Sequence, residues 1–117
     1  MIVTLTLNPS LDRTVEVPSL RRGSVIRASS GRLDPGGKGV NVARALLANG
    51  IAACAVLPAG GSVGHQLVEL LEAEGVAMAA VPVAGATRSN LTLSEPDGTV
   101  TKINEGGESL TAAEIDL

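Results

Sequence analysis

Three short apolar runs alternate along the chain with two stretches of helical periodicity, and that order limits the possible folds more than any other feature. Ile2 to Leu7 alternates β-branched residues with leucine and stops at Asn8-Pro9, as a buried strand does. From Lys38 to Asn49 the residues are nearly all Val, Ala and Leu. Asn41 and Arg44 stand one turn apart on a single polar stripe, and Gly50 is placed to end the helix. This pattern predicts a helix that is mostly buried. Ala52 to Leu57 is a second apolar strand. After Gly60-Gly61-Ser62, residues Val63, Leu67, Leu70 and Leu71 recur at helical intervals with Gln66, Glu69 and Glu72 opposite, and Gly75 closes that helix. Val76 to Val83 is the third strand. Strand, helix, strand, helix, strand predicts the α/β class, with a parallel sheet and right-handed crossovers.

Two segments fall outside this alternation. Between Asp12 and Leu33, the pieces RTVEV and SVIRA are separated by Pro18 and Gly23 and predict a small hairpin with one apolar face, outside the main sheet. Asn90 to Ser94 and Thr99 to Asn104 flank Glu95-Pro96-Asp97-Gly98, a composition that favours a tight reversal and a second hairpin. Near the end, Thr111 is placed to cap a helix, with Glu114 as its reciprocal partner and Leu110 able to staple to Ile115. One and a half turns are too few for a helix to hold by itself. The expectation is that Leu117 is a cut end.

With 117 residues, 44% of them hydrophobic, the chain suits one modest core, hence one domain or part of one. It contains no Phe, Tyr or Trp, so core volume comes from Val, Leu, Ile and Ala, and stacking of a base on a ring is excluded. A net charge of −3, with nine basic residues scattered, gives no footprint for a nucleic-acid backbone. MIVTLTLNPSLD lacks the basic start and long apolar run of a secretory signal, and no later run is long enough to span a bilayer. The expected location is the cytoplasm, with no membrane partner. Cys54 is the single cysteine and sits in an apolar run, which predicts buried filler. His65 falls on the polar face of the second helix, a solvated position.

The cluster LDPGGKGVNVARALLANG, Leu33 to Gly50, aims glycines and a lysine at a helix start. A P-loop requires a glycine where Arg32 stands and a Ser or Thr where Gly39 stands. A dinucleotide fingerprint requires a small residue at Val42 and a sheet strand directly before the glycines, where RASSGRLD lies. Neither spacing fits. Glycines let the backbone approach a ligand, the free amides of the helix start favour anionic or hydroxyl oxygens, and Lys38 adds a mobile positive charge. A polar, phosphorylated ligand fits, with Asn41 one turn further on the same face. Spacing alone equally allows glycines that serve close packing and a lysine in solvent.

GGKGVNVARALLANG, Gly36 to Gly50, resembles the N-terminal signature of the ribokinase-like (PfkB) carbohydrate kinases. TLTLNPSLDRTVEV at the start, TRSNLTL at Thr87 to Leu93 and DGTVTKINE at Asp97 to Glu105 look most like 1-phosphofructokinases within that family, with tagatose-6-phosphate kinases close behind. The resemblance implies a ribokinase-like fold: the N-terminal part of a mainly parallel βαβαβ sheet with a small β lid. The chain would then be the sugar-binding part of one kinase domain, with lid hairpins near residues 12–33 and 87–105. It also implies that Asp12, Gly36, Gly37 and Asn41 bind sugar hydroxyls. Lys38 and Arg88 would clamp the phosphate already on the sugar, with Ser89 beside them and Arg27 as a weaker candidate. Arginine suits that role because its planar guanidinium holds phosphate through two parallel hydrogen bonds.

By the same resemblance the intact enzyme moves the γ-phosphoryl group of magnesium ATP to fructose 1-phosphate and forms a homodimer through the lid. Tagatose 6-phosphate and fructose 6-phosphate are the alternative acceptors, and a noncatalytic sugar-phosphate binder or dimerising remnant is an alternative of another class. The Gly-Ala-Gly-Asp motif that carries the family's anion hole and catalytic base does not occur in these 117 residues. The expectation is that this chain alone contains no catalytic residue, does not turn over and binds neither ATP nor Mg2+ strongly. Two departures stand out. Gly61-Ser62 occupies a loop where relatives commonly carry an acidic residue, and Gly106 stands where they carry a proline.

Overall fold

A computed structural model describes residues 1–116, so Leu117, read from sequence as a cut end, lies outside the described residues. In chain order the elements are β1 (Ile2–Leu5), β2 (Ser10–Glu16), β3 (Ser30–Gly36), α1 (Lys38–Ala48), β4 (Ala53–Ala59), α2 (Gly61–Ala73), β5 (Ala77–Pro82), β6 (Arg88–Ser94), β7 (Val100–Asn104) and α3 (Ala112–Ile115). They make two sheets: three parallel strands in the order β1-β4-β5, and four strands in the order β3-β2-β6-β7. The α/β class with a small β lid is therefore present, the lid being the four-stranded sheet. Among the described residues no helix is long and apolar enough to cross a membrane.

Side-chain alternation divides the parallel sheet into two unlike faces. The register Thr4↔Ala55↔Met78 puts Ala55 and Leu57 of β4 on the side of both helices. There they are buried against Val40 and Ala43 of α1, Leu67 and Leu71 of α2, and Val76. Small side chains let the helices lie close to the sheet, so a core without aromatic rings still closes. The opposite face carries Val3, Leu5, Cys54, Val56 and Val81; it is apolar, and Val3 and Leu5 are each 63% exposed. Cys54 is half-buried rather than buried, because it lies on this open side.

Four further expectations need correction. Helix α1 is not mostly buried: Val40 and Ala43 are its buried residues, while Val42 is 50% exposed, because the sheet covers only one side of it. The first hairpin does not use SVIRA. Strand β2 pairs instead with Ser30–Gly36, and Val25 is left 87% exposed with nothing to pack on. RASSGRLD is consequently largely strand, and β3 runs directly into the glycine cluster. One ground for setting aside a dinucleotide fingerprint thus falls, whereas Val42 in place of a small residue remains. Finally, Ile115 is exposed, so a staple from Leu110 buries little, although the capping box itself is formed (Thr111 Oγ1 accepting from Glu114 N at 3.2 Å, Glu114 Oε1 from Thr111 N at 2.8 Å).

The lid is one sheet because β2 lies parallel to β6, with Ser10↔Arg88 at one end and Glu16↔Ser94 at the other. Its second reversal is the tight turn read from Pro-Asp-Gly: Gly98 N donates to Glu95 O at 3.0 Å and Thr99 N to Asp97 Oδ1 at 2.9 Å. The amide of Thr99 holds the Asp97 carboxyl below its ordinary range. Thr87 ties the lid to the parallel layer, donating its N–H to Gly60 O at 3.0 Å and accepting from Gly60 N through Oγ1 at 3.1 Å.

Candidate functional site

The site is built on β2. Ser10 and Asp12, two apart, project on one face, and the register places Gly36 and Asp34 of β3 beside them on one side and Arg88 and Asn90 of β6 on the other. Ser10 Oγ donates to Asp12 Oδ1 at 2.7 Å, and Asn90 Nδ2 donates to the same oxygen at 3.2 Å. Asp12 Oδ2 lies against the backbone of Gly36, where an added Cβ would press on Oδ2 and stand 2.8 Å from Cγ. Gly36 is thus glycine for space. Gly37 is glycine for conformation as well, since its φ is 117° and a Cβ would come within 2.7 Å of Thr6 Cγ2.

Helix α1 begins immediately after, with Gly37 at the N-cap and no side-chain cap. Asn41 N donates to Gly37 O at 2.8 Å to close the first turn, so the amides before it face the mouth of the site. Lys38 is exposed and has no ion-pair partner among the described residues. Asn41 is exposed too and lines an open groove with Arg44, Ala45 and Glu74. Arg44 fixes the approach to the cluster: it is bidentate to Glu74 at 2.7 Å and donates through Nη1 to Pro35 O at 3.3 Å. Hydrogen bonding to Glu74 raises its pKa above the ordinary arginine value.

Arg88 opens β6 on the Asp12 face. Its Nε donates to Asn8 O at 3.3 Å and its Nη1 to Glu105 O at 3.4 Å, which leaves the Nη1/Nη2 end with donors to spare. It also lines a cleft of about 20 Å³ with Asn8, Pro9, Thr87 and Glu108, too small for a sugar. Ser89 is not brought to this face: it pairs with Leu11, which is 2% exposed, so alternation turns its side chain away. Arg27 is not brought there either. It lines a groove of about 550 Å³ with Glu16, Val17, Ser94 and Glu95, at the far end of β2 and β6. Strand rise puts that end roughly 20 Å from Arg88.

Sequence reading does not single out Ser10, Asn90 or Glu105. The signal for the first two is the period of a strand, because Ser10 stands two before Asp12 and Asn90 two after Arg88. Glu105 has no such signal. Its N–H donates to Asn90 Oδ1 at 3.2 Å and its Oε1 accepts from Ser89 N at 2.7 Å, contacts that only the fold creates.

Residues 5–115 match the pfkB family carbohydrate kinase pattern. The chain is 44% identical over 94 residues to the ATP-dependent 6-phosphofructokinase isozyme 2 of Mycobacterium tuberculosis, covering 80% of this chain and 28% of that protein. It is 40% identical over 115 residues to the 1-phosphofructokinase of Vibrio cholerae, covering 98% of this chain and 36% of that one. The crystal structure of phosphofructokinase-2 from Escherichia coli in complex with fructose-6-phosphate superposes with a TM-score of 0.92 at 38% identity, covering 98% of this chain and 38% of that chain. The chain spans about a third of the length of the curated relatives it matches. Matched from the end of β1 through α3, and this similar to several phosphofructokinases, the chain belongs to the pfkB family of carbohydrate kinases.

Proposed function

We propose that the face carrying Asp12, Gly36, Gly37 and Arg88, with Lys38 at its rim, binds a hexose phosphate. In this reading residues 1–117 are the sugar-binding part of a single kinase domain that phosphorylates fructose 1-phosphate. The observation that carries it is the division of labour at one sheet face. Asp12 keeps one carboxylate oxygen for a hydroxyl donor, and Arg88, across the strand pair, keeps a cationic edge for phosphate. A sugar hydroxyl donates and a phosphate accepts, so the two ends of the ligand are told apart by chemistry.

Fructose 6-phosphate is the second acceptor to consider, because relatives named 6-phosphofructokinase and a fructose-6-phosphate complex stand as near as the 1-phosphofructokinases. Tagatose 6-phosphate remains the third. A noncatalytic sugar-phosphate binder is the reading of another class. In all four readings the same face binds the ligand; the three acceptors differ in phosphate position or sugar configuration, and the noncatalytic reading differs in having no transfer step.

ATP and Mg2+ are the cofactors of the proposed kinase as a whole. Among the described residues no group of three His, Cys, Asp or Glu side chains is placed to hold a metal ion, and the chain has no aromatic ring to stack on adenine. These residues do not fit magnesium ATP, and no transfer step is assigned to them. The partner we propose is a second copy, joined through the lid: Val15, Leu33, Leu91 and Leu93 share the lid face opposite Asp12 and are only half-buried. Sedimentation should show a dimer that Leu93→Glu converts to monomer.

Calorimetric titration of the 117-residue chain with fructose 1-phosphate and fructose 6-phosphate tests the binding reading, and a coupled ADP-release assay tests the catalytic one. Binding without turnover is expected. Robust turnover would overturn the assignment of the base to residues other than these, and absence of binding would overturn the sugar-phosphate site.

A further inference from the structure

The hydrogen bonds around Asp12 form a chain whose direction chemistry fixes. The N–H of Glu105 can only donate, so the Asn90 oxygen must face it, and the Asn90 NH2 is thereby turned toward Asp12, which as a carboxylate can only accept. The amide orientation is set at both ends. Ser10, 1% exposed, adds its hydroxyl to the same Asp12 oxygen. Both donors therefore converge on Oδ1. Oδ2 has no donor among the described residues and lies along the Gly36 backbone at the mouth of α1. Glu105 also braces the phosphate end, accepting from Arg88 Nη1 through its carbonyl and from Ser89 N through its carboxylate.

We infer that Asn90, locked by Glu105, and Ser10 are positioning residues that hold the Asp12 carboxylate with Oδ2 as the acceptor for a ligand hydroxyl. The inference rests on the binding face proposed above. It assigns the two donors to the sugar end of the ligand and not to the phosphate end. Asn90 and Arg88 stand on the same strand face, yet their loss should be felt by different parts of one molecule.

The test compares two probes, fructose 1-phosphate and inorganic phosphate, titrated calorimetrically into the chain. Asn90→Ala should weaken fructose 1-phosphate by roughly tenfold, as expected for losing a donor to a charged acceptor, while inorganic phosphate changes by less than about twofold. Asn90→Asp keeps the shape and the contact with Glu105 N but replaces the donor by an acceptor, so it should not rescue binding. Equal weakening of both probes, or full binding by Asn90→Asp, overturns the inference. Where Asn90→Ala proves unfolded by circular dichroism, Ser10→Ala carries the same comparison. A readout without ligand stands beside these. The Asn90 side-chain amide signals in a 15N–1H spectrum should shift, and exchange faster with water, in Asp12→Ala. Should the wild-type chain bind no sugar phosphate, the function reading fails while this spectrum still decides the positioning: moved signals uphold it, and unmoved signals overturn it.

Discussion

The two sheets of this chain dispose of their faces in opposite ways. Apart from the buried Thr4 on its helix side, the parallel sheet β1-β4-β5 is apolar on both sides, packed under α1 and α2 on one and open on the other. The lid sheet is apolar on one side only. Its other side is a row of hydrogen-bonding groups, Ser10, Asp12, Asp34, Arg88 and Asn90, and the contacts within that row involve named donors and acceptors. Apolar burial is thus concentrated in one layer and an array of hydrogen-bonding groups in the other. Parallel sheets ordinarily have both faces covered, so the open face bearing Val3 and Leu5 marks where this layer differs from a self-sufficient one.

Substitutions should separate the layers. The largest effect on stability is expected from Leu57→Ala, fully buried between both helices, at about 3 kcal/mol by chemical denaturation. Asp12→Ala leaves the buried Ser10 hydroxyl without its acceptor and should cost about 1 kcal/mol, well below Leu57→Ala, while abolishing fructose phosphate binding. If instead Asp12→Ala unfolds the chain, the separation is broken. Next comes Arg88→Lys, which keeps the charge but loses the planar fork and should weaken fructose 1-phosphate by about tenfold in the same titration.

A smaller effect is expected at the seam. Arg44→Ala removes the bidentate contact with Glu74 and the bond to Pro35 O, and because both partners are partly exposed the cost should be about 1 kcal/mol. Leu5→Lys, on the open face, should reduce nonspecific aggregation seen by light scattering while leaving binding and the proposed lid dimer unaltered.

The smallest effect is a pH dependence at α3. Hydrogen bonds from the backbone N–H groups of Thr111 and Ala84 hold the Glu114 carboxyl below its ordinary value. A carboxyl whose pKa is lowered in the folded state contributes stability above its unfolded pKa and loses it as pH falls through the folded one. The protection of the Thr111 and Ala84 amides, their exchange rates corrected for the intrinsic pH dependence of amide exchange, should therefore fall as pH is lowered through the carboxylate range, and Glu114→Gln should flatten that dependence.

How far the sequence reaches follows the same division. In the parallel layer the apolar periods of β1, α1, β4, α2 and β5 each announce their element, because burial there is a property of the pattern. The lid is only partly legible. Strand β3 carries a polar, glycine- and proline-containing sequence, SGRLDPG, and is a strand because β2 pairs with it, not because its own residues favour extension. SVIRA has the better strand composition and no partner. Within the site, Asp12, Gly36 and Arg88 are reached through motif resemblance, and Ser10 and Asn90 are within reach of simple alternation. Ser89 fails that same alternation, and Glu105 meets its partners only through space.

The most direct test of the central account is a 15N–1H titration of the labelled chain with fructose 1-phosphate. The account predicts that shifted signals cluster on Ser10 to Asp12, Gly36 to Lys38 and Arg88 to Asn90, with the core residues Leu57 and Leu67 still. Shifts confined to the open face of the parallel sheet, or none at saturating ligand, would contradict it.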